Sequence, residues 1–170
     1  KEIVEARKTW QFNTREEPGT HKIIISINLD GEIIEYYPYQ ISGLILKNLV
    51  EVANHRSVIK TNKIVVTIPA TFNDLQREEL KQAADSVGLQ IVRFINEPIS
   101  ATIAYEFMNQ EYIEDDENTK RNILVFDLGA GTLDISFIQA NKDNYKILAF
   151  DGDPFLGGRD WDNCLYQYVT

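Results

Sequence analysis

The chain has 170 residues, 44% of them hydrophobic and 11% aromatic, enough to bury the core of one domain or of a large part of one. Its formal net charge of −9 argues against nucleic acid or an anionic membrane surface as a general partner, although backbone N–H groups can still hold a phosphate locally. A single cysteine, Cys164, allows no internal disulfide and fits a reducing compartment; no apolar stretch is long enough to span a bilayer, and no signal peptide is read at the start.

Residues 1–13 are mixed and end in the aromatic pair Trp10 and Phe12, and residues 15–20, with Glu16, Glu17, Pro18 and Gly19, read as a loop. A hairpin follows: residues 22–27 are rich in isoleucine, Asp30-Gly31 is a turn signal, and residues 32–37 resume the strand. Pro38 opens a helix with Ile41, Leu44, Ile45, Leu49 and Val52 on one stripe. Residues 64–68 are a continuous apolar strand, the pattern of a strand covered on both faces, and Pro69 stops it. Asn73 with Gln76 predicts a helix cap; Leu75, Leu80, Ala83, Ala84 and Val87 then face one way, and Gly88 ends the helix. Residues 91–95 complete a βαβ unit, for which a parallel, right-handed crossover is expected. Pro98 starts a helix through about Met108, and the acidic stretch 110–120 reads as a solvated loop. Strands are predicted at 122–126, 133–140 and 145–150, with 141–144 as a turn. Gly157-Gly158 turns into a last helix that carries Cys164 as a core residue. A first residue that is not Met, and a helix running to Thr170, read as a sequence cut at both ends.

The chemistry gathers at the strand junctions. In Asp127-Leu128-Gly129-Ala130-Gly131-Thr132-Leu133-Asp134 an apolar strand delivers a carboxylate, a glycine turn follows, and a second strand begins. Glycines permit φ > 0 and leave no side chain between the amides and a ligand, so such a turn can aim N–H groups at phosphate oxygens. Asp127 and Asp134 can hold a hydrated cation of the Mg²⁺ type, and Thr132 adds a hydroxyl. No Gly-Lys-Ser/Thr follows, so this is not a Walker loop, and the same residues also read as a plain structural hairpin. Glu97, in Asn96-Glu97-Pro98, lies where a strand meets a helix; it is either a ligand group or a helix-end acid. Gly157-Gly158 is either a simple turn or a close approach for an anion. Arg77 and Lys81 lie four apart on one helix face and read as solvated charges. His21 and His55 read as surface residues, with no second His or Cys at ligand spacing.

Several motifs in a fixed order carry more than any one of them. KTWQF at 8–12, VVTIPATFNDLQRE at 65–78, INEPISATIAY at 95–105, ILVFDLGAGTLDIS at 123–136 and GDPFLGGRDWDN at 152–163 together resemble the heat shock protein 70 family over nearly the whole chain. The resemblance implies an α/β, actin-like ATPase (ribonuclease H-like) fold in part, with mixed β-sheets and flanking helices. Residues 1–109 would be the end of lobe I, with a small subdomain hairpin and helix at about 10–55 and a βαβ unit with its connecting helix at 63–109. Residues 110–121 would be an acidic loop, and 122–170 the first part of lobe II with the phosphate hairpin.

It further implies that Gly129, Ala130, Gly131 and Thr132 touch the β- and γ-phosphates of ATP, with Gly157 and Gly158 also at the phosphates. Asp127 and Thr132 would place the attacking water, Asp134 would help hold a monovalent cation such as K⁺, and Glu97 would sense water bound to Mg²⁺. Pro69 and Arg77 would form a proline switch with its arginine relay, and Lys81 would couple to an interdomain linker. The implied function is that of an ATP-hydrolysing chaperone whose ATP or ADP state controls unfolded polypeptide clients held by a domain outside this chain. Its partners would be J-domain co-chaperones and nucleotide exchange factors, with no nucleic acid and no membrane, in the cytoplasm.

A first phosphate loop, a catalytic lysine and an adenosine-binding subdomain have no counterpart here, so the chain alone is expected to be inactive. The family pattern also has glycine at position 130, tyrosine at 71, glycine at 106 and glutamate at 159, where this chain has Ala130, Thr71, Glu106 and Arg159. If position 130 required φ > 0, Ala130 would cost about 1 kcal/mol, and its methyl is expected to crowd the phosphate and weaken the ATPase. A chaperone-like module of co-chaperone or exchange-factor type that binds nucleotide with little hydrolysis is therefore an alternative. Another actin-like protein, such as a sugar kinase or a filament protein, is a more distant one.

Overall fold

The structure, a computed structural model, describes residues 12–109, 119–141 and 144–169. The segment with Trp10, the acidic stretch of residues 110–118 and the centre of the turn at 142–143 lie outside the described residues. The described residues form two compact units, one made of residues 12–64 and Asn73–Val92, the other of Val65–Phe72 and the residues from Arg93 onward.

The first unit is built on an antiparallel sheet of β1 (Asn13–Glu16), β2 (Ile23–Leu29) and β3 (Glu32–Tyr36), with β2 in the centre. The β2–β3 hairpin forms where the isoleucines and Asp30-Gly31 place it, with both turn residues at positive φ. Strand β1 replaces the first part of the expected loop at 15–20. Its sequence, Asn-Thr-Arg-Glu, has no apolar alternation because it is an edge strand that leaves three of its four side chains exposed.

Helix α1 (Pro38–Arg56) and helix α2 (Asp74–Asp85) pack on each other. The expected apolar stripe of α1 is not its buried face: Leu44, Ile45, Leu49 and Val52 are exposed, and the buried residue is Gly43. A Cβ at position 43 would stand 2.6 Å from the Ala83 carbonyl oxygen and 2.9 Å from Ser86 Oγ. The missing side chain is what lets the two helices touch backbone to backbone. Helix α2 begins with the expected reciprocal cap, as Asn73 Oδ1 accepts from the Gln76 N–H and Gln76 Oε1 accepts from the Asn73 N–H, each at 2.9 Å. Ala83 and Ala84 are fully buried, whereas Leu75, expected on the same face, is exposed.

Strands β4 (Lys63–Ile68) and β5 (Gln90–Asn96) pair in a two-stranded sheet. Burial along β4 alternates, with Val65 exposed and Ile68 closed off, so one face is covered rather than the two its apolar run suggested.

In the second unit β6 (Arg121–Leu128), β7 (Leu133–Asn141) and β8 (Asn144–Asp153) form an antiparallel sheet with β7 central. One face carries Arg121, Ile123, Val125 and Asp127 of β6 opposite Ala140, Ile138, Ser136 and Asp134 of β7. Of these β7 positions, Ser136, Ile138 and Ala140 are buried. A bulge opposite Phe137 and Ile138 shifts the β8 register from Ala149 to Ile147.

Helix α3 (Glu97–Met108) packs on β6, with Pro98, Thr102 and Glu106 as its buried residues at four-residue spacing. Glu106 is the only buried acid among the described residues. It accepts the Tyr145 hydroxyl at 2.5 Å and ion-pairs with Arg121 Nη2 at 2.9 Å, an approach not aligned as a hydrogen bond. These two partners account for an acid at a buried position. Helix α4 (Gly158–Val169) buries none of its residues here, and Cys164, expected in the core, is exposed. Its apolar positions, Trp161 and Leu165 among them, find no cover among the described residues. No described helix is long and apolar enough to cross a membrane.

Glu106→Ala should strand the Arg121 guanidinium at the α3–sheet contact and cost about 2–3 kcal/mol. Urea unfolding checks this, and a loss below about 0.5 kcal/mol would mean that the pair is solvated and holds nothing.

Candidate functional site

The site lies in the second unit, where β6 ends. Asp127 and Asp134 are direct partners across the β6–β7 ladder, at the end of the face that is buried further along. Between the strands the Gly129 N–H donates to the Thr132 carbonyl at 2.9 Å and closes a four-residue turn. The N–H groups of Ala130, Gly131 and Thr132 have no hydrogen-bond partner among the described residues. Three consecutive open donors at the tip of a turn make an anion-binding concavity.

The backbone of that turn departs from expectation. None of residues 129–132 adopts positive φ, so the glycines are not there for left-handed backbone and Ala130 carries no strain of that kind. Of the two grounds on which Ala130 is expected to weaken the site, backbone strain and a methyl that crowds phosphate, the first falls away. Ala130→Gly should accordingly lose up to about 1 kcal/mol of stability, through the greater freedom it gives the unfolded chain. Thermal melting checks the sign, and a rise in Tm would overturn it.

Close approach is the requirement instead. The start of α4 packs against the turn: the Gly158 N–H donates to Gly129 O and the Arg159 N–H to Ala130 O, both at 2.9 Å. A Cβ on the buried Gly157 would sit 2.4 Å from the Gly131 nitrogen and 2.5 Å from the Ala130 carbonyl carbon. Asp160 completes the helix start by accepting the Gly157 N–H at 2.8 Å. The first donors of the helix are thus occupied by carbonyls of the turn, which leaves the turn's own amides open.

Glu97, the first residue of α3, belongs to the same cluster. Burial pushes its carboxyl above the ordinary range, and the charges of Asp127 and Asp134 push it the same way. Glu97 feels both aspartates, yet no three His, Cys, Asp or Glu residues among those described converge closely enough to ligate an ion directly. Such a donor set fits a cation that keeps its waters, as Mg²⁺ does, rather than one stripped by the protein.

The remaining residues singled out in the sequence lie elsewhere. Pro69, in the second unit, follows β4 and accepts the Phe72 N–H at 3.2 Å. Arg77 and Lys81 lie on α2 in the first unit. Lys81 is solvated and pairs with Glu78 at 3.6 Å, but Arg77 Nε is withdrawn from solvent with no hydrogen-bond partner, which a simple solvated charge would not be. His21 is exposed beside Glu16. Sequence reading missed the Glu106–Arg121–Tyr145 contact, whose one available signal was an acid four residues beyond Thr102 on the buried face of α3.

The raised Glu97 has a pH consequence of definite sign. A carboxyl that binds its proton more tightly when folded contributes stability below its unfolded pKa, and that contribution is lost as pH rises through the folded pKa. Glu97→Gln, which cannot ionise, should therefore become more stable relative to the original chain as pH rises from about 4 to about 8, with the difference vanishing at the acid end. Melting temperatures across that window check it; parallel curves for the two chains would remove Glu97 from the cluster.

Comparison with known proteins places this geometry. The family model described as Hsp70 protein matches residues 1–170. The chain is 36% identical over 169 residues to "Heat shock 70 kDa protein" of Emericella nidulans, covering 99% of this chain and 25% of that protein. It is 35% identical over 161 residues to a ribosome-associated molecular chaperone of Nakaseomyces delphensis, covering 95% of this chain and 25% of the relative. With "Chaperone protein DnaK" of Mycoplasmopsis synoviae it shares 36% identity over 152 residues, 89% of this chain and 23% of the relative. The chain spans about a quarter of the length of these curated relatives. Sheets with flanking helices agree with the actin-like nucleotide-binding fold of the family. A turn with three open amides after β6, an acid at the start of α3 and a family match along the entire chain stand together, and the match is decisive: the chain belongs to the Hsp70 family.

Proposed function

We propose that this chain is part of the ATP-binding and ATP-hydrolysing domain of a molecular chaperone. The observation that carries the reading is the turn at 129–132, with three open amides and three carboxylates in its neighbourhood. Gly129, Ala130, Gly131 and Thr132 receive the β- and γ-phosphates of ATP, and Gly157 and Gly158 serve the same phosphates by holding the turn's backbone. Asp127 and Thr132 orient the attacking water. Glu97, whose proton is held unusually tightly, hydrogen-bonds water at the metal position, and Asp134 contributes to a monovalent cation site of the K⁺ type. Bound Mg²⁺ with its waters would neutralise phosphate charge at this site.

Residues 1–109 then close the first lobe of the domain and residues 122–170 open the second. Pro69 and Arg77 report the nucleotide state, and Lys81 passes it to an interdomain linker. The orphaned Nε of Arg77 supports such a relay, because a donor out of solvent is costly unless something takes its hydrogen bond in at least one state. Through that relay ATP and ADP control the holding and release of unfolded polypeptides, with J-domain co-chaperones and nucleotide exchange factors as partners. A cytoplasmic setting agrees with the lone thiol. The alternative of a nucleotide-binding module with little hydrolysis keeps as its ground the methyl of Ala130 at the phosphate turn, strain of the backbone there being absent.

In the parent protein, Asp127→Asn should slow single-turnover ATP hydrolysis at least ~10²-fold while equilibrium binding of ATP is retained, the magnitude expected when a group that orients or deprotonates water is removed. Unchanged turnover would remove Asp127 from the reaction.

A further inference from the structure

Arg159 is the second residue of α4, and its backbone N–H is fixed to the Ala130 carbonyl at 2.9 Å. Its side chain does not run out along the helix but folds back over the turn. A Cβ built on Gly131 would lie 2.6 Å from Arg159 Nη2, 3.6 Å from Cζ and 3.8 Å from Nε. The guanidinium therefore occupies the space that a side chain at position 131 would fill.

Nothing among the described residues explains its staying there. Arg159 is exposed, no described carboxylate pairs with it, and no hydrogen bond holds its head. The neighbouring acid, Asp160, is engaged with the Gly157 N–H. A cation in the first turn of a helix also faces the positive end of the helix dipole, which repels it. The open amides of Ala130, Gly131 and Thr132 lie on the same turn. The guanidinium and the turn's amides thus bring unpaired hydrogen-bond donors to one spot on a chain whose formal charge is −9. A phosphate oxygen pair satisfies both, and the planar fork of arginine suits it as a lysine's point charge does not.

We infer that Arg159 is a phosphate ligand of this site, its guanidinium binding the outermost phosphate of a nucleoside triphosphate while the turn's amides hold the phosphate next to it. The inference rests on the reading of residues 129–132 as a phosphate turn. Arg159 thereby favours nucleotides with an extended phosphate chain over a monophosphate, which is too short to reach both groups.

The test is calorimetric titration of ATP and of AMP into the parent protein and its variants, read as the ratio of the two affinities. Arg159→Ala should lower that ratio about tenfold or more with AMP affinity unchanged, Arg159→Glu should lower it further, and Arg159→Lys should fall between Arg159→Ala and the original chain. Gly131→Ala should act in the same direction, because its methyl displaces the guanidinium. The residue is exposed, so its variants should fold, and an unchanged ratio in both Arg159→Ala and Arg159→Glu overturns the inference. Gly157→Ala, which presses on the turn's backbone, separates the two ways of failing. If it collapses the ratio while the Arg159 variants do not, the turn holds phosphate without Arg159. If it too leaves the ratio intact in a folded protein, the turn is not a phosphate site and both readings fall.

Discussion

A buried acid fixes the second unit. Glu106 ties α3 to the first residue of β6 through Arg121 and to β8 through Tyr145, while Glu97, at the other end of α3, feels Asp127 near the last residue of β6. The helix therefore runs along β6 in the opposite direction. Its nine-residue step from 97 to 106 covers roughly 13 Å, against roughly 20 Å for the six-residue step from 121 to 127 on the strand. The two lengths do not match, and the ion pair, with the buried Pro98 and Thr102, sets where along the strand the helix sits. How deeply Glu97 is buried and how near it comes to the aspartates, and hence how tightly it keeps its proton, depends on that contact.

The mouth of the site is held by a different device. The start of a helix ordinarily offers its free N–H groups to an anion. Here those of Gly158 and Arg159 are taken by carbonyls of the 129–132 turn, and the turn presents its own amides in their place. A helix end grips a loop, so the open donors are offered by a backbone that α4 holds by two hydrogen bonds. Gly157 is indispensable to this grip because the atoms nearest its missing Cβ are backbone, which cannot rotate away.

Much of this was legible in the residues. The β2–β3 hairpin, the Asn73–Gln76 cap, the strands of the last sheet and the Asp127–Asp134 turn follow from alternation, turn signals and caps, all of them local in sequence. Strand β1 was illegible because a short polar edge strand has neither an apolar face nor a turn of its own. The stripes on α1 and α2 misled in part, since periodicity ranks candidate faces but Gly43 and the two alanines, the smallest residues available, chose the face that makes contact. Cys164 was assigned to a core on composition, while α4 buries nothing among the described residues. Conformation at Ala130 could not be read from a Gly-Ala-Gly string, where permission for positive φ is easily mistaken for its use. Glu106 and Arg159 were visible only as oddities, because their partners, Arg121 and Tyr145 for one and the Gly131 surface for the other, are brought to them by the chain's path.

The contact at Gly43 sets a boundary on how this sequence can drift. Most tight packings can be traded: a side chain grows on one side and a neighbour shrinks on the other. At position 43 the nearest obstacle is the carbonyl oxygen of Ala83, 2.6 Å from where a methyl would begin. A carbonyl oxygen is common to every amino acid, so no substitution at position 83 can make room. A larger residue at 43 would require α1 and α2 to move apart together along their length. Single changes, and pairs of changes confined to the two contacting positions, are closed to that part of the chain.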